Sequence, residues 1–275
     1  MFYKISKNKN IKLKISNTPN QKQESTESLD DSFNTYYYIY SKLPIHDVFI
    51  SKLDKPQMFY ELVEVFSNIY FDFNKTFGSF SNDCFYDFLQ YKMPTFKHIE
   101  MGDTSEKVDI LFFHLTDINE WLIIPMCKKI NKNGHFIVKL KYSKKVMEII
   151  YVLTTIFEKT IITRPSIMTI NDYIYIICQN YNNTYEYDLE EFILENLNQL
   201  DIRENIPCYF INYMNEVKAY ITQQILYYKK SMFYLNDEEK MEKIKYKNIT
   251  YCIKWCETFN IPYNNVNIFN DKFKN

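Results

Sequence analysis

Two stretches decide the fold: Val108-Asp109-Ile110-Leu111-Phe112-Phe113-His114 and Gly134-His135-Phe136-Ile137-Val138-Lys139-Leu140. Both are nearly continuous apolar runs of strand length. A strand that is apolar on both faces belongs inside a sheet with helices covering each side. Between them, residues 119–130 have helical spacing and Asn133-Gly134 reads as a turn. Downstream, the pattern predicts a helix over 144–157 and strands over 160–164 and 173–179. Upstream, it predicts a helix over 56–67, where Met58, Leu62, Val65 and Phe66 share one face, then a strand over 69–73 and a turn over 77–80. A helix over 84–91 and a strand over 96–101 follow. Such alternation predicts an α/β fold, a doubly wound sheet with helices on both faces.

Outside that rhythm the character changes. The N-terminal part reads as a strand over 11–15, a polar acidic loop over 21–32 and an aromatic run over 36–40. Beyond residue 187 only helices are expected, over 189–197, 213–234 and 237–259, the last stopped by Pro262. The expected organisation is an N-terminal extension with a basic segment (1–50), a core (51–187) and a helical C-terminal extension (188–275).

The chain has 275 residues, room for one sizeable core and an appendage. Apolar residues at 46% and charged residues at 24% are ordinary globular usage. The 25 Tyr and 22 Phe beside only 3 Gly follow the bias of AT-rich codon usage and carry no functional weight. A net charge of −1 excludes a molecule-wide field for nucleic acid, so any basic surface is local. One candidate is residues 1–22, where Lys4, Lys7, Lys9, Lys12, Lys14 and Lys22 occur with no acidic residue. This segment fits phosphates or an acidic protein; its plain alternative is a solvated strand or frayed terminus.

The six cysteines form no CxxC pair and no apolar leader precedes them, so a reduced, cytoplasmic setting is expected. Cys252 and Cys256 share a helix face without a second ligand pair, so no metal is expected. No apolar run reaches the roughly 18 residues that span a bilayer, so no membrane partner is expected.

The 134–140 segment, with its apolar-Lys-apolar ending, is followed by Arg164-Pro165-Ser166 and then Asn171-Asp172-Tyr173-Ile174-Tyr175-Ile176. In order and spacing this resembles the FtsJ-like RNA 2′-O-methyltransferases, in a degenerate form. The helical tail, with Trp255-Cys256 and Asn260-Ile261-Pro262, looks like the extension found on such proteins of large DNA viruses. In length and kind the chain also resembles the catalytically silent small subunit of poxvirus mRNA-capping enzyme. The resemblance implies a Rossmann-like methyltransferase sheet and, if the protein is viral, a place in host cytoplasm or a viral factory.

The resemblance also implies a Lys-Asp-Lys-Glu tetrad around the ribose hydroxyl, where a lysine tuned by its neighbours draws off or orients the proton. Carried over, Glu61 stands at the first Lys, His114 at the Asp, Lys139 keeps the second Lys, and the shorter Asp172 replaces the Glu. An active protein would therefore use Lys139, Asp172 and His114. Each has a plain alternative: Lys139 as a sheet-edge lysine, Asp172 as a turn cap, His114 as a strand end. S-adenosylmethionine would need a Gly-rich turn after the first strand, yet residues 72–80 carry one Gly among bulky side chains. Only about 30 residues separate Gly78 from Asp109, where the family fits two strands. If the cofactor binds, Asp72, Gly78, Glu100 and Asp103 are its candidate contacts.

Two functions are therefore expected. The first is a catalytically inactive methyltransferase-fold protein, a binding or regulatory subunit in viral mRNA capping, processing or translation. It would need no cofactor and would have a protein partner, with RNA a further candidate. The alternative is an active S-adenosylmethionine-dependent cap 2′-O-methyltransferase with an atypical tetrad. An unrelated α/β protein or a capsid-associated structural component stands behind both.

Overall fold

A computed structural model of the chain describes residues 2–6, 53, 55–67, 75–80, 83–93, 95–102, 105–115, 120–168, 172–182, 206–232 and 237–263. Its contacts divide the chain into two compact units. The first comprises Met1–Glu24, Ile69–Pro165 and Asn171–Ile221, and the second Ser25–Asn68, Ser166–Ile170 and Thr222–Asn275.

The first unit holds a seven-stranded sheet: β1 (Phe2–Ser6), β2 (Thr76–Ser79), β3 (Lys97–Glu100), β4 (Val108–His114), β5 (Ile130–Lys141), β6 (Phe157–Thr163) and β7 (Tyr173–Tyr181). Its order is β1-β6-β7-β5-β4-β2-β3. β3, β2, β4 and β5 run parallel, whereas β7 lies antiparallel between β5 and β6, and β1 pairs antiparallel with β6. Helix α2 (Asp83–Lys92) connects β2 to β3, short helical turns over 120–129 connect β4 to β5, and α3 (Lys144–Ile156) connects β5 to β6. The chain winds outward one way from β2 to β3 and then the other way from β4 to β5. Right-handed crossovers in opposite directions put α2 and the 120–129 turns on opposite faces. The α/β class and the covered sheet are as expected.

Phe112, Ile110, Leu111, Phe136, Ile137 and Val138 of the two deciding strands are fully buried. Burying each such side chain contributes about 1.5–3 kcal/mol, which holds the centre of the sheet together. Helix α3 begins at Ser143, whose hydroxyl accepts from the Val146 amide at 3.2 Å, and turns Val146, Ile149, Ile150 and Leu153 inward. Helix α4 (Cys208–Met232) sets Phe210, Met214, Val217 and Ile221 on one buried stripe of the first unit. Phe210 meets Tyr151 of α3 at 5.0 Å.

In the second unit, α1 (Gln57–Ser67) and α5 (Glu238–Phe259) meet through Tyr60 and Trp255, ring centroids 6.2 Å apart. The carboxylate of Glu64 accepts from the Ser166 amide (2.8 Å), the Ser166 hydroxyl (2.8 Å) and the Trp255 indole (2.9 Å). One side chain thus joins two helices and a turn. α5 ends at Asn260, left-handed at φ 53°, two residues before the Pro262 expected to stop it.

Several sequence expectations need correction. Residues 76–79 form β2, not a turn: Gly78 sits inside the strand. A β-carbon there would lie 2.9 Å from Met101 Sδ and 3.0 Å from Val108 Cγ1, so this glycine serves close packing. Asn133-Gly134 does not precede β5 but lies within it. The pairing jumps from Val108↔Ile130 to Ile110↔His135, an irregularity that Asn133 absorbs at φ 63°. β1 had no counterpart in the sequence reading. The expected strands over 11–15 and 69–73, the loop over 21–32, the aromatic run and the helix over 189–197 lie outside the described residues.

Candidate functional site

In a doubly wound sheet the winding reverses at one place, and a crevice opens there beyond the carboxyl ends of the strands. Here it falls between β2 and β4. Ser79 ends β2 and Phe80 follows it, Glu100 ends β3, His114 ends β4, and Lys139 stands near the end of β5. The antiparallel β7 brings its start, Asp172 and Tyr173, to the same end.

His114 pairs with Lys139 across β4 and β5, and Lys139 with Tyr175 across β5 and β7. Directly opposed residues share a face, and Tyr173, two positions from Tyr175, shares it too. The Lys139 side chain is only 7% exposed. Its Nζ lies 5.7 Å from the Tyr173 ring centre and 5.6 Å from that of Tyr175, so two aromatic faces cushion the ammonium. The His114 ring meets Tyr173 at 5.9 Å. Burial, and then the Lys139 charge, push the His114 imidazole down to about 4, so it is neutral at physiological pH. A neutral imidazole in register with a buried ammonium can accept a proton, and the cation beside it opposes that protonation.

Asp172 reaches the same rim. Its carboxylate lies 3.7 Å from Lys141 Nζ, and its carbonyl accepts from the Tyr142 amide at 2.7 Å. The Tyr142 hydroxyl donates to the Met214 carbonyl of α4 at 3.0 Å, and burial raises it to about 12. The rim is thereby tied to α4. Arg164, from the Arg-Pro segment, donates to the Tyr173 carbonyl at 2.5 Å and so holds the start of β7. Glu61 lies buried in α1 of the second unit.

β2 ends at Ser79 and α2 begins at Asp83, so the link after the first core strand comes later than the sequence reading placed it. Its neighbourhood is filled by the chain itself. Phe85 stacks on Phe112 at 4.7 Å and Phe80 meets Phe113 edge-on at 5.2 Å. Ser79, 1% exposed, is hydrogen-bonded to His98 Nε2 at 2.9 Å. Burial lowers the affinity of His98 for a proton, opposed by the nearby Glu100 charge. Glu100 is exposed, in register with Ser79. Gly78 and Glu100 therefore flank this end of the sheet, while Asp72 and Asp103 lie outside the described residues. The described residue between β2 and α2 is Phe80, not a glycine, and the Phe80 and Phe85 rings pack against β4 beside it.

Of the basic segment, Lys4 lies in β1, where its backbone pairs with Ile161. Lys7, Lys9, Lys12 and Lys14 lie outside the described residues. Among the described residues no group of three or more His, Cys, Asp or Glu is placed to hold a metal ion, and no helix is long and apolar enough to cross a membrane. The sequence reading missed Tyr173, Tyr175 and the Ser79–His98 pair. The Tyr-Ile-Tyr alternation of 173–175 was the signal that both rings share a face.

No protein-family model matches the chain, and no curated protein matches it. Among solved structures, a putative ribosomal RNA methyltransferase from Plasmodium falciparum is similar at 15% identity over 46% of this chain and 98% of that one, with a TM-score of 0.35. Phosphoethanolamine N-methyltransferase 2 of Haemonchus contortus, in complex with S-adenosyl-L-methionine, is 13% identical over 50% of this chain and 39% of that one, TM-score 0.29. A precorrin-6y C5,15-methyltransferase from Geobacter metallireducens is 10% identical over 48% and 93%, TM-score 0.27. Likenesses this distant say nothing of substrate or activity.

Proposed function

We propose that this chain is a methyltransferase-fold protein that transfers no methyl group and acts as a binding or regulatory subunit in mRNA capping, processing or translation. The observation that supports this reading most is the bulky aromatic packing beside the end of β2, where the resemblance implies a glycine-rich turn. Phe80 and Phe85 pack on Phe113 and Phe112 beside the end of β2, and the Ser79 and His98 side chains are hydrogen-bonded to each other. Methyl transfer to a hydroxyl needs the donor held in line and the proton drawn off at the same moment. Lys139 lies against two tyrosine rings, and the residue in register with it on β4 is a histidine rather than the carboxylate that the resemblance implies. Under this reading the protein needs no cofactor and acts through a protein partner, with any RNA contact carried by the N-terminal lysines.

The test is thermal melting with and without excess S-adenosylmethionine or its demethylated product. A ligand that binds only the folded state at about one hundred times its dissociation constant stabilises by about 2.7 kcal/mol. No shift with either ligand is expected; a rise of several degrees would overturn the reading.

One observation favours the active alternative: His114 is neutral, in the base form, and in register with Lys139. If methyl transfer to capped RNA is measured and Lys139→Ala abolishes it, the active reading replaces the first.

A further inference from the structure

β2, β3, β4 and β5 run parallel, and β6 runs the same way because β7 lies antiparallel to both β5 and β6. Their five starts therefore lie at one end of the sheet, opposite the end that holds His114, Lys139 and Asp172. Each start carries a lysine. In sheet order these are Lys97 on β3, Lys75 just before β2, Lys107 just before β4, Lys132 near the start of β5 and Lys159 near the start of β6. Neighbouring strands are about 4.8 Å apart, so the lysines form a row along this edge, interrupted only at β7. Lys97, Lys107 and Lys132 are exposed, and Lys75 and Lys159 are half-buried. The irregularity in β5 accounts for Lys132: residues 131–134 stand against the single residue Asp109, so this part of the chain leaves the ladder. Helix α2 runs back to the same end and finishes there with the exposed Lys92. The carboxylates at this end are Glu106, Asp109 and Glu158. Asp109 accepts from the Thr76 amide and the Asn131 side chain, each at 2.9 Å, and Glu158 from the Asn180 side chain at 2.9 Å. The chain as a whole has a net charge of −1, so this concentration of cations is local.

We propose that this lysine row binds the phosphate backbone of single-stranded RNA. A line of cations at regular steps matches a linear polyanion whose charges also recur at regular steps, and each ammonium meets phosphate as a point charge on a flexible stem. An acidic protein segment fits less well, because the side chains of an extended peptide point alternately to two sides and only every second carboxylate would face the row. The row is one lysine deep, which suits one strand rather than the two of a duplex. The inference goes beyond the proposed function, which puts RNA contact on the N-terminal lysines, and takes from that reading only the choice of RNA over DNA.

The test is fluorescence anisotropy of the full chain with fluorescein-labelled oligouridylate over a range of salt concentrations, beside labelled oligothymidylate and with polyglutamate as competitor. The triple variant Lys97→Gln, Lys107→Gln, Lys132→Gln is expected to bind oligouridylate about tenfold more weakly. Its slope of log affinity against log salt should shrink by about 2, since each phosphate contact on a single strand contributes about 0.7. A second triple variant, Lys9→Gln, Lys12→Gln, Lys14→Gln, separates the two surfaces. If it alone weakens binding, the lysine row is overturned and the RNA contact of the proposed function stands. Absence of oligouridylate binding at low salt would also overturn the row, as would displacement by polyglutamate of equal charge as readily as by unlabelled oligouridylate. Binding of oligothymidylate without oligouridylate would overturn it in favour of DNA. Should the first triple variant melt early, Lys132→Gln alone decides, with an expected loss of about 0.7 in the slope.

Discussion

His114 shows how much a single side chain owes to its surroundings. As a residue at the end of an apolar run it reads as a strand terminus. In the sheet it stands in register with Lys139, half-buried beside Tyr173, and its imidazole is pushed down to about 4. Burial is the larger cause and the lysine charge the smaller. Replacing the cation by an apolar side chain of similar length, Lys139→Met, should therefore raise the His114 midpoint, yet leave it below the ordinary 6.5 because the burial remains. An NMR titration of the imidazole resonances checks this, and a midpoint unmoved by Lys139→Met would show that the two groups do not feel each other. Lys139 itself was legible as a candidate from its place near the end of a buried strand. Its aromatic cushion was not, because Tyr173 and Tyr175 reach it only through the antiparallel pairing of β7 with β5.

Among elements, the amphipathic helices were the most legible. α1, α2, α3 and α5 fall where the 3.6-residue spacing of apolar side chains puts them, since each buries one stripe against its neighbours. Strands containing glycine were misread, because glycine suggests a turn when only local propensity is weighed. In β2, Gly78 is required by the close approach of Met101 and Val108, and in β5 a β-carbon on Gly134 would lie 2.8 Å from the Asp109 carbonyl. Met101, Val108 and Asp109 are distant in sequence, although the local Ile130 and Asn131 also crowd Gly134. Glu64 is the corresponding lesson for the second unit, for an ordinary-looking helix glutamate accepts three hydrogen bonds from residues about 100 and 190 positions away. Glu64→Ala strands the Ser166 and Trp255 donors and should cost about 2–4 kcal/mol, with Glu64→Gln losing less because it keeps an acceptor. Urea unfolding measures both, and a Glu64→Ala protein within about 0.5 kcal/mol of the parent would mean water replaces the carboxylate.

For the whole molecule, two depressed histidines predict an acid response. His114 and His135 are both pushed down to about 4, His135 by burial and then by Lys75, partly offset by Asp109. The unfolded chain takes up these protons near 6.5 and the folded one near 4, so the unfolded state binds more protons in between. Stability should fall as the pH drops from about 6.5 to about 4, with no further loss from these groups below that. Melting temperatures across this window test it, and His135→Gln, whose carbonyl can still accept from the Asn180 amide that now meets His135 Nδ1 at 3.3 Å, should flatten the slope. An unchanged slope would place the acid response elsewhere. The sequence by itself determined the α/β class, the two deciding strands, the covering helices and Lys139 as a candidate, because these follow from periodicities that every window of the chain carries. Only the tertiary structure decided that β7 inserts between β5 and β6, that β1 closes onto β6, that Phe80 and Phe85 pack on Phe113 and Phe112, and that His114 is neutral. Those features depend on hydrogen bonds, stacking and burial between residues distant in the chain, and no local pattern records them.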